Sequence, residues 1–213
     1  MKDAISKLKK GFQLFRKNHY EDRKEEFLSL VTNGQKPEIC VIACSDSRVD
    51  PAIILQADPG DLFVVRNVAN LVPPHEGVGQ YHGTSAALEY AVQHLQVKHI
   101  IVLGHAHCGG IHSLLNPEKE GSEGHQFLPP WMSLVEAARL RVMATMPDAS
   151  KNEQSAACEQ ESVLVSLENL MTFPCIRERV SKGGLRLHGW YIDIEYGQLA
   201  TYDASSRQFQ LVD

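Results

Sequence analysis

Three residues with metal-binding side chains stand at the ends of apolar runs. Cys44 closes the run EICVIAC at 38–44, His105 follows HIIVLG at 99–104, and Cys108 comes three residues later. Two thiolates and one imidazole form a Cys₂His set. With zinc, such a set leaves the fourth position open, the pattern of a catalytic ion rather than a closed structural one. A helix beginning after Cys108 would offer N–H groups that favour a thiolate, and Gly109-Gly110 removes side-chain bulk beside it. On spacing alone a plainer account stands equally: an H-x-x-C pair is weak, and Cys44 by itself is a small apolar residue of the kind that fills cores. The segment Cys44-Ser45-Asp46-Ser47-Arg48 shifts the balance. It puts a carboxylate two residues beyond a candidate ligand and an arginine two residues further on, spaced for a charge-assisted pair. A carboxylate beside an open metal position can accept a hydrogen bond from bound water. A surface ion pair worth under about 1 kcal/mol gives no reason for following a ligand so closely.

For these side chains to meet, the two apolar runs must be strands whose carboxyl ends open on one edge, where open α/β sheets form their sites. The patterning predicts strands at 38–44, 62–66, 99–104 and 185–194, the last with a hairpin partner at 198–202. It predicts helices at 4–17, 20–32 (ended by Asn33-Gly34), 83–96, 107–115, 131–145 and 153–171, and a short one after Pro174. Strands alternating with helices imply an α/β fold: a mainly parallel central β-sheet flanked by helices, with an N-terminal helical arm and a C-terminal hairpin strand. The Pro- and Gly-rich stretch 116–130 reads as a loop, and the elements on either side of it lack separate cores. Residues 1–213 therefore read as one domain, with an arm at 1–34 and a catalytic core at 35–213.

Composition excludes several classes. Apolar residues make up 43% and charged residues 22%, which argues against disorder. Twenty-one Lys/Arg against 26 Asp/Glu give a net charge of −5, a poor footprint for nucleic acid. The first 36 residues are basic, and read as a solvated helix face rather than a membrane-surface helix. The start has no apolar h-region, so no export signal is expected and the chain is expected to be cytoplasmic. The charge-free stretch 99–117 carries four histidines and three glycines and does not read as a membrane span. Five cysteines without an export signal point to metal or catalytic use rather than disulfides. Cys40, Cys158 and Cys175 read as packed or exposed thiols, with Cys40 on the strand face of Cys44.

CSDSR at 44–48, RNVAN at 66–70 and GHAHCGG at 104–110, in that order and spacing, resemble the β-class carbonic anhydrases over roughly residues 35–115. HGWYID at 188–193 fits the family's later strand. The resemblance implies zinc, one Zn²⁺ per subunit, on Cys44, His105 and Cys108, with Asp46 and Arg48 as the catalytic dyad. It implies a small substrate pocket lined by Gln35, Phe63, Val68 and Tyr90, with a backbone contact at Gly109. Gln35 and Tyr90 fall in segments that the family places across a dimer interface. Phe63, Val68 and Tyr90 read equally as core residues. The implied function is reversible hydration of carbon dioxide to bicarbonate and a proton by zinc-bound hydroxide, in a homodimer or dimer-based higher oligomer with no nucleic-acid or membrane partner. The alternatives are hydrolysis of carbon disulfide or carbonyl sulfide on the same scaffold, or a non-catalytic zinc-binding protein. His75, His82 and His107 are candidate proton relays that read more simply as surface histidines. One subset of the family binds bicarbonate through a Trp, an Arg and a Tyr, and its dyad Asp swings onto zinc. Here those positions hold Val41, Arg66 and Ile192, with Tyr191 one residue early and so on the opposite strand face. The expectation is an accessible site in which Asp46 stays paired with Arg48.

Overall fold

The computed structural model describes residues 3–77, 81–116 and 124–212. It separates into two units, Met1–Lys36 and Pro37–Asp213. In the first unit, α1 (Ala4–Phe15) starts at Asp3, whose carboxylate accepts the N–H groups of Ile5 and Ser6, two of the donors that a helix start leaves without partners. The helix runs on as a π-helical turn over Arg16–Tyr20. It is followed by α2 (Lys24–Asn33), which ends on Gly34 at φ 72°, a backbone region open to glycine. Phe27 of α2 meets the ring of Phe15 edge-on at 5.9 Å and that of Tyr20 at 5.3 Å, which ties the two helices together.

The second unit is built on six strands: β1 (Ile39–Cys44), β2 (Leu62–Asn67), β3 (His99–His105), β4 (Arg186–Asp193), β5 (Gln198–Asp203) and β6 (Gln208–Leu211). Their order is β2-β1-β3-β4-β5-β6. The first four are parallel and the last two antiparallel. The helices are α3 (Pro51–Ile54), α4 (Gly83–Glu89), α5 (Gly109–Leu115), α6 (Leu128–Met132), α7 (Glu136–Thr145), α8 (Lys151–Leu170) and α9 (Pro174–Ser181).

Residues Cys40 to Ala43 are fully buried, which is why β1 reads as a continuous apolar run rather than an alternating one. Cys40 and Ile42 join Leu88, Ile100, Val102, Val163 and Leu170 on one face. Val41 and Ala43 join Ile101 and Leu103 on the other. The register pairs Cys44 with Asn67 and His105 with Ile192, so the strand ends finish flush. Helix α8 lies against β3 and β4. A Cβ on Gly104 would sit 2.5 Å from Val163 Cγ2, and one on Gly189 would sit 3.0 Å from Val163 Cγ1. Only glycine at Gly104 lets the helix come this close.

The structure differs from the patterning in a few places. The helix expected at 131–145 begins earlier, at Leu128, with Pro129 and Pro130 in a first turn that needs no proline N–H. It passes through a 3₁₀ turn over Ser133–Val135 before α7. The expected loop therefore ends at Phe127, and its residues 117–123 lie outside those described. Helix α3 is absent from the patterning, although Asp50-Pro51 signals it: Asp50 Oδ1 caps the Ala52 N–H at 3.1 Å. Strand β6 is absent from it too, because four residues give too short a pattern. Among the described residues, no helix is long and apolar enough to cross a membrane.

Candidate active site

Cys44 is the last residue of β1, His105 the last of β3, and Cys108 the residue that caps α5. His107 takes a left-handed turn, φ 58°, between the second and third of these. All three side chains are buried, and their Sγ and ring-nitrogen atoms lie within 4.8 Å of one another. His105 Nδ1 lies 2.9 Å from the Ala106 carbonyl oxygen. A carbonyl can only accept, so Nδ1 carries the proton and Nε2 carries the lone pair. Nε2 is buried without a hydrogen-bond partner, a deficit of about 1–3 kcal/mol for a buried polar atom. A cation at that nitrogen removes the deficit.

The sulfurs point the same way. Cys44 Sγ accepts the N–H groups of Asp46 at 3.4 Å and Ala69 at 3.3 Å. The Cys108 thiol beside it, above all, and these amides hold Cys44 below the usual thiol range. The same sulfur–sulfur contact, with burial, pushes Cys108 up. Two sulfurs this close share one proton, and both ionise only when a cation compensates. The donor set therefore fits a borderline-soft divalent ion such as zinc.

Asp46 does not belong to this group. Arg48 holds it by three donors: its backbone N–H to Oδ1 at 2.9 Å, Nε to Oδ1 at 3.0 Å and Nη2 to Oδ2 at 2.7 Å. These bonds keep the Asp46 carboxyl well below the usual carboxylate range. Nη2 of Arg48 also reaches the His107 carbonyl at 3.0 Å, which joins the dyad to the turn between His105 and Cys108. Beneath it, Arg66 donates Nε to the Cys44 carbonyl at 2.9 Å, Nη2 to the Asp46 carbonyl at 2.7 Å and Nη1 to Asp50 Oδ2 at 2.8 Å. Asn67 closes the next turn: its side chain accepts the Leu71 N–H and donates to the Leu71 carbonyl, both at 2.8 Å. That turn carries Ala69 and Asn70 at positive φ and aims the Ala69 N–H at Cys44.

Comparison with known proteins gives this arrangement a family. The carbonic anhydrase family model matches residues 39–199. Beta carbonic anhydrase 3 of Arabidopsis thaliana is 38% identical over 209 residues, covering 98% of this chain and 79% of the relative. The structure of the β-carbonic anhydrase CcaA superposes with a TM-score of 0.90 at 36% identity, covering 98% of this chain and 92% of that one. A tetrameric β-carbonic anhydrase from the ascomycete Sordaria macrospora gives a TM-score of 0.74 at 33% identity, covering 93% of each chain. The chain belongs to the β-class of carbonic anhydrases.

Within this carbonic anhydrase the expected pocket residues separate. Val68 stands on the ligand side: its Cγ1 would lie 3.1 Å from a Cβ on Gly110. Gly110, not Gly109, is the glycine whose missing side chain matters, because Ala69, Val68 and Met132 crowd it while the space beside Gly109 is open. Phe63 and Tyr90 meet each other, with ring centroids 5.8 Å apart. Phe63 lies four residues before Asn67, about 13 Å back along β2 from the ligand edge, and packs against the Cys40 and Ile42 cluster. Gln35 lies in the N-terminal unit. One chain thus brings together Cys44, Asp46, Arg48, Val68, His105, Cys108 and Gly109, but not Phe63 or Tyr90.

Of the anion-triad positions, Val41 lies in the core, Ile192 packs against the same cluster, and Arg66 spends its donors on the 44–50 segment, while Tyr191, one residue before Ile192, is buried on Glu159. Glu159 is the residue that sequence reasoning missed. It reaches the site from α8, far along the chain, and no local motif marks it.

Proposed function

We propose that this enzyme catalyses the reversible hydration of carbon dioxide to bicarbonate and a proton, with one zinc ion per subunit held by Cys44, His105 and Cys108. The observation that carries this reading is the orphaned His105 Nε2, buried within 4.8 Å of two sulfurs and next to an Asp46–Arg48 pair. Zinc there would supply Lewis acidity that brings a bound water's pKa from 15.7 down to about 7. The chain's own residues do the rest. The Ala106 carbonyl fixes the His105 tautomer. Arg48 keeps Asp46 ionised, so its carboxylate can accept a hydrogen bond from attacking water and turn that water's lone pair toward the substrate carbon. Arg66 and Asn67 hold the backbone on which Cys44 and Asp46 stand. Val68 gives the small apolar substrate an apolar wall.

The same reading assigns Gln35, Phe63 and Tyr90 to pocket lining, with Gln35 and Tyr90 in segments that lie across a dimer interface, in a homodimer or dimer-based higher oligomer. The tetrameric Sordaria relative supports it. Residues 1–213 act as a single functional domain, with the first helices as its arm, and the enzyme works in the cytoplasm without a nucleic-acid or membrane partner.

Stopped-flow measurement of carbon dioxide hydration, with elemental analysis of the same sample, tests the proposal. One zinc per chain with rapid hydration is expected. Zinc without hydration would leave a binding protein, and turnover of carbonyl sulfide or carbon disulfide in place of carbon dioxide would move the substrate.

A further inference from the structure

Glu159 is a buried acid in the middle of α8, 3% exposed. Its two carboxylate oxygens are used separately. Oε1 accepts the backbone N–H of Cys108 at 3.0 Å, and Oε2 accepts the Tyr191 hydroxyl at 2.8 Å. Both partners donate, so the pattern is complete with no proton on the carboxyl group. Burying an acid is costly unless its partners repay it, and burial does push Glu159 upward against these two bonds. A side chain placed at such cost, on the backbone of a candidate metal ligand, needs a reason.

The surroundings supply one. Cys108 caps α5, and the side chain of a capping residue is steered by its own backbone. Its sulfur takes no capping hydrogen bond from the helix start. The cysteine's own N–H is the handle that remains, and Glu159 holds it. The helix that delivers Glu159 is itself fixed by close approach, because Gly104 and Gly189 admit Val163 one turn further along α8. Ser162 adds a hydrogen bond to the Glu159 carbonyl at 2.7 Å. Tyr191, on β4, stops the carboxylate from rotating away. The chain of contact runs from β4 through α8 to the ligand turn.

We propose that Glu159, locked by Tyr191, is a positioning residue that holds the Cys108 backbone so that its sulfur stays in register with Cys44 and His105 for the metal. This role rests on the zinc reading of the Cys44, His105 and Cys108 set. Outer partners that orient a ligand typically change metal affinity by about 10–100-fold when removed.

The test uses the full chain, with zinc affinity measured by chelator competition at one pH and the absorption spectrum of the cobalt-substituted protein. Wild-type protein should bind zinc tightly; if it does not, the metal reading itself fails. Given tight wild-type binding, Glu159→Ala should weaken zinc about 10–100-fold and shift the thiolate-to-cobalt bands, because Cys108 is freed to move. Glu159→Gln keeps an oxygen for the Cys108 N–H and should restore affinity to within about threefold of wild type. Leu170→Ala, a fully buried change in the same helix outside the site, should lower the melting temperature while leaving zinc affinity and cobalt spectrum alone. Unchanged affinity and spectrum in Glu159→Ala would overturn the proposal. So would a Gln variant that binds zinc as poorly as the Ala variant, or a Leu170→Ala variant that loses zinc equally. If Glu159→Ala does not fold, Tyr191→Phe takes its place. It frees the carboxylate without touching Cys108, and should weaken zinc measurably; wild-type affinity there would overturn the lock.

Discussion

The two ends of the central parallel strands carry very different chemistry. At the carboxyl ends of β1, β2 and β3, half-buried polar groups close on one another around the buried Cys44, His105 and Cys108. Arg66 spends its donors on two carbonyls and a carboxylate, and Asn67 spends its side chain on the Leu71 backbone and the Thr84 hydroxyl. At the amino ends of β1, β3 and β4, Lys98 pairs with Glu38 while both side chains are more than 60% exposed. Beside them His99 and His188 face each other at 3.0 Å. The ion pair there is of the exposed kind, worth under about 1 kcal/mol. The strands are the same. The difference lies in the segments at either end: turns at Ala69 and His107 fold loops back over the carboxyl edge, and α8 reaches that edge with a carboxylate. A site needs groups from several segments held together, and among the described residues the carboxyl end of this sheet gathers them.

The contrast can be broken at its strongest point first. Cys44→Ser or Cys108→Ser should strip zinc and hydration together, because a neutral hydroxyl is a far weaker ligand than a thiolate. Elemental analysis showing a full complement in both variants would remove the ligand assignment. Asp46→Asn and Arg48→Ala should keep their zinc and lose about 10²-fold or more in turnover, the usual worth of a positioned proton acceptor. Near-native rates in either would contradict the dyad. Gly104→Ala pushes a methyl group to 2.5 Å from Val163 Cγ2 and should cost about 1–3 kcal/mol, read by denaturant unfolding.

The smallest effect belongs to the other end. Burial, with the neighbouring His99 and Arg186, holds His188 below its ordinary 6.5. The unfolded chain therefore binds a proton that the folded chain refuses, and stability falls as pH drops below about 6.5. His188→Phe should flatten the melting temperature between about pH 7.5 and about pH 5.5 without altering zinc content. A variant that keeps the full wild-type slope would place that titration elsewhere.

Much of the core was legible because its signals are local. The run at 38–44 has no charge beyond its first residue, since β1 is buried on both faces. Cys44, Asp46 and Arg48 lie within five residues, so their pairing comes from the chain itself. Boundaries were less legible where proline enters a first helical turn, as at Pro51 and Pro129, because the same residue reads as a loop from sequence. Phe63 shows where a motif leaves two roles standing: the family pattern implies a pocket position, and its strand packs it against the apolar cluster of its own chain.

The sequence by itself determined the donor types at Cys44, His105 and Cys108, the close spacing of Asp46 and Arg48, most of the order of strands and helices, and the family. Each depends on residues close together or on a pattern with a fixed period. Only the tertiary structure decided that His105 Nε2 stands unpartnered beside both sulfurs, that Arg66 braces the dyad backbone, and that Gly110 rather than Gly109 is the crowded glycine. It also decided that Glu159 holds the Cys108 amide from 51 residues away. Those relations depend on which strands pair, in what register, and how closely a helix can approach. Burial sets these across the whole core at once, and no short stretch of sequence contains them.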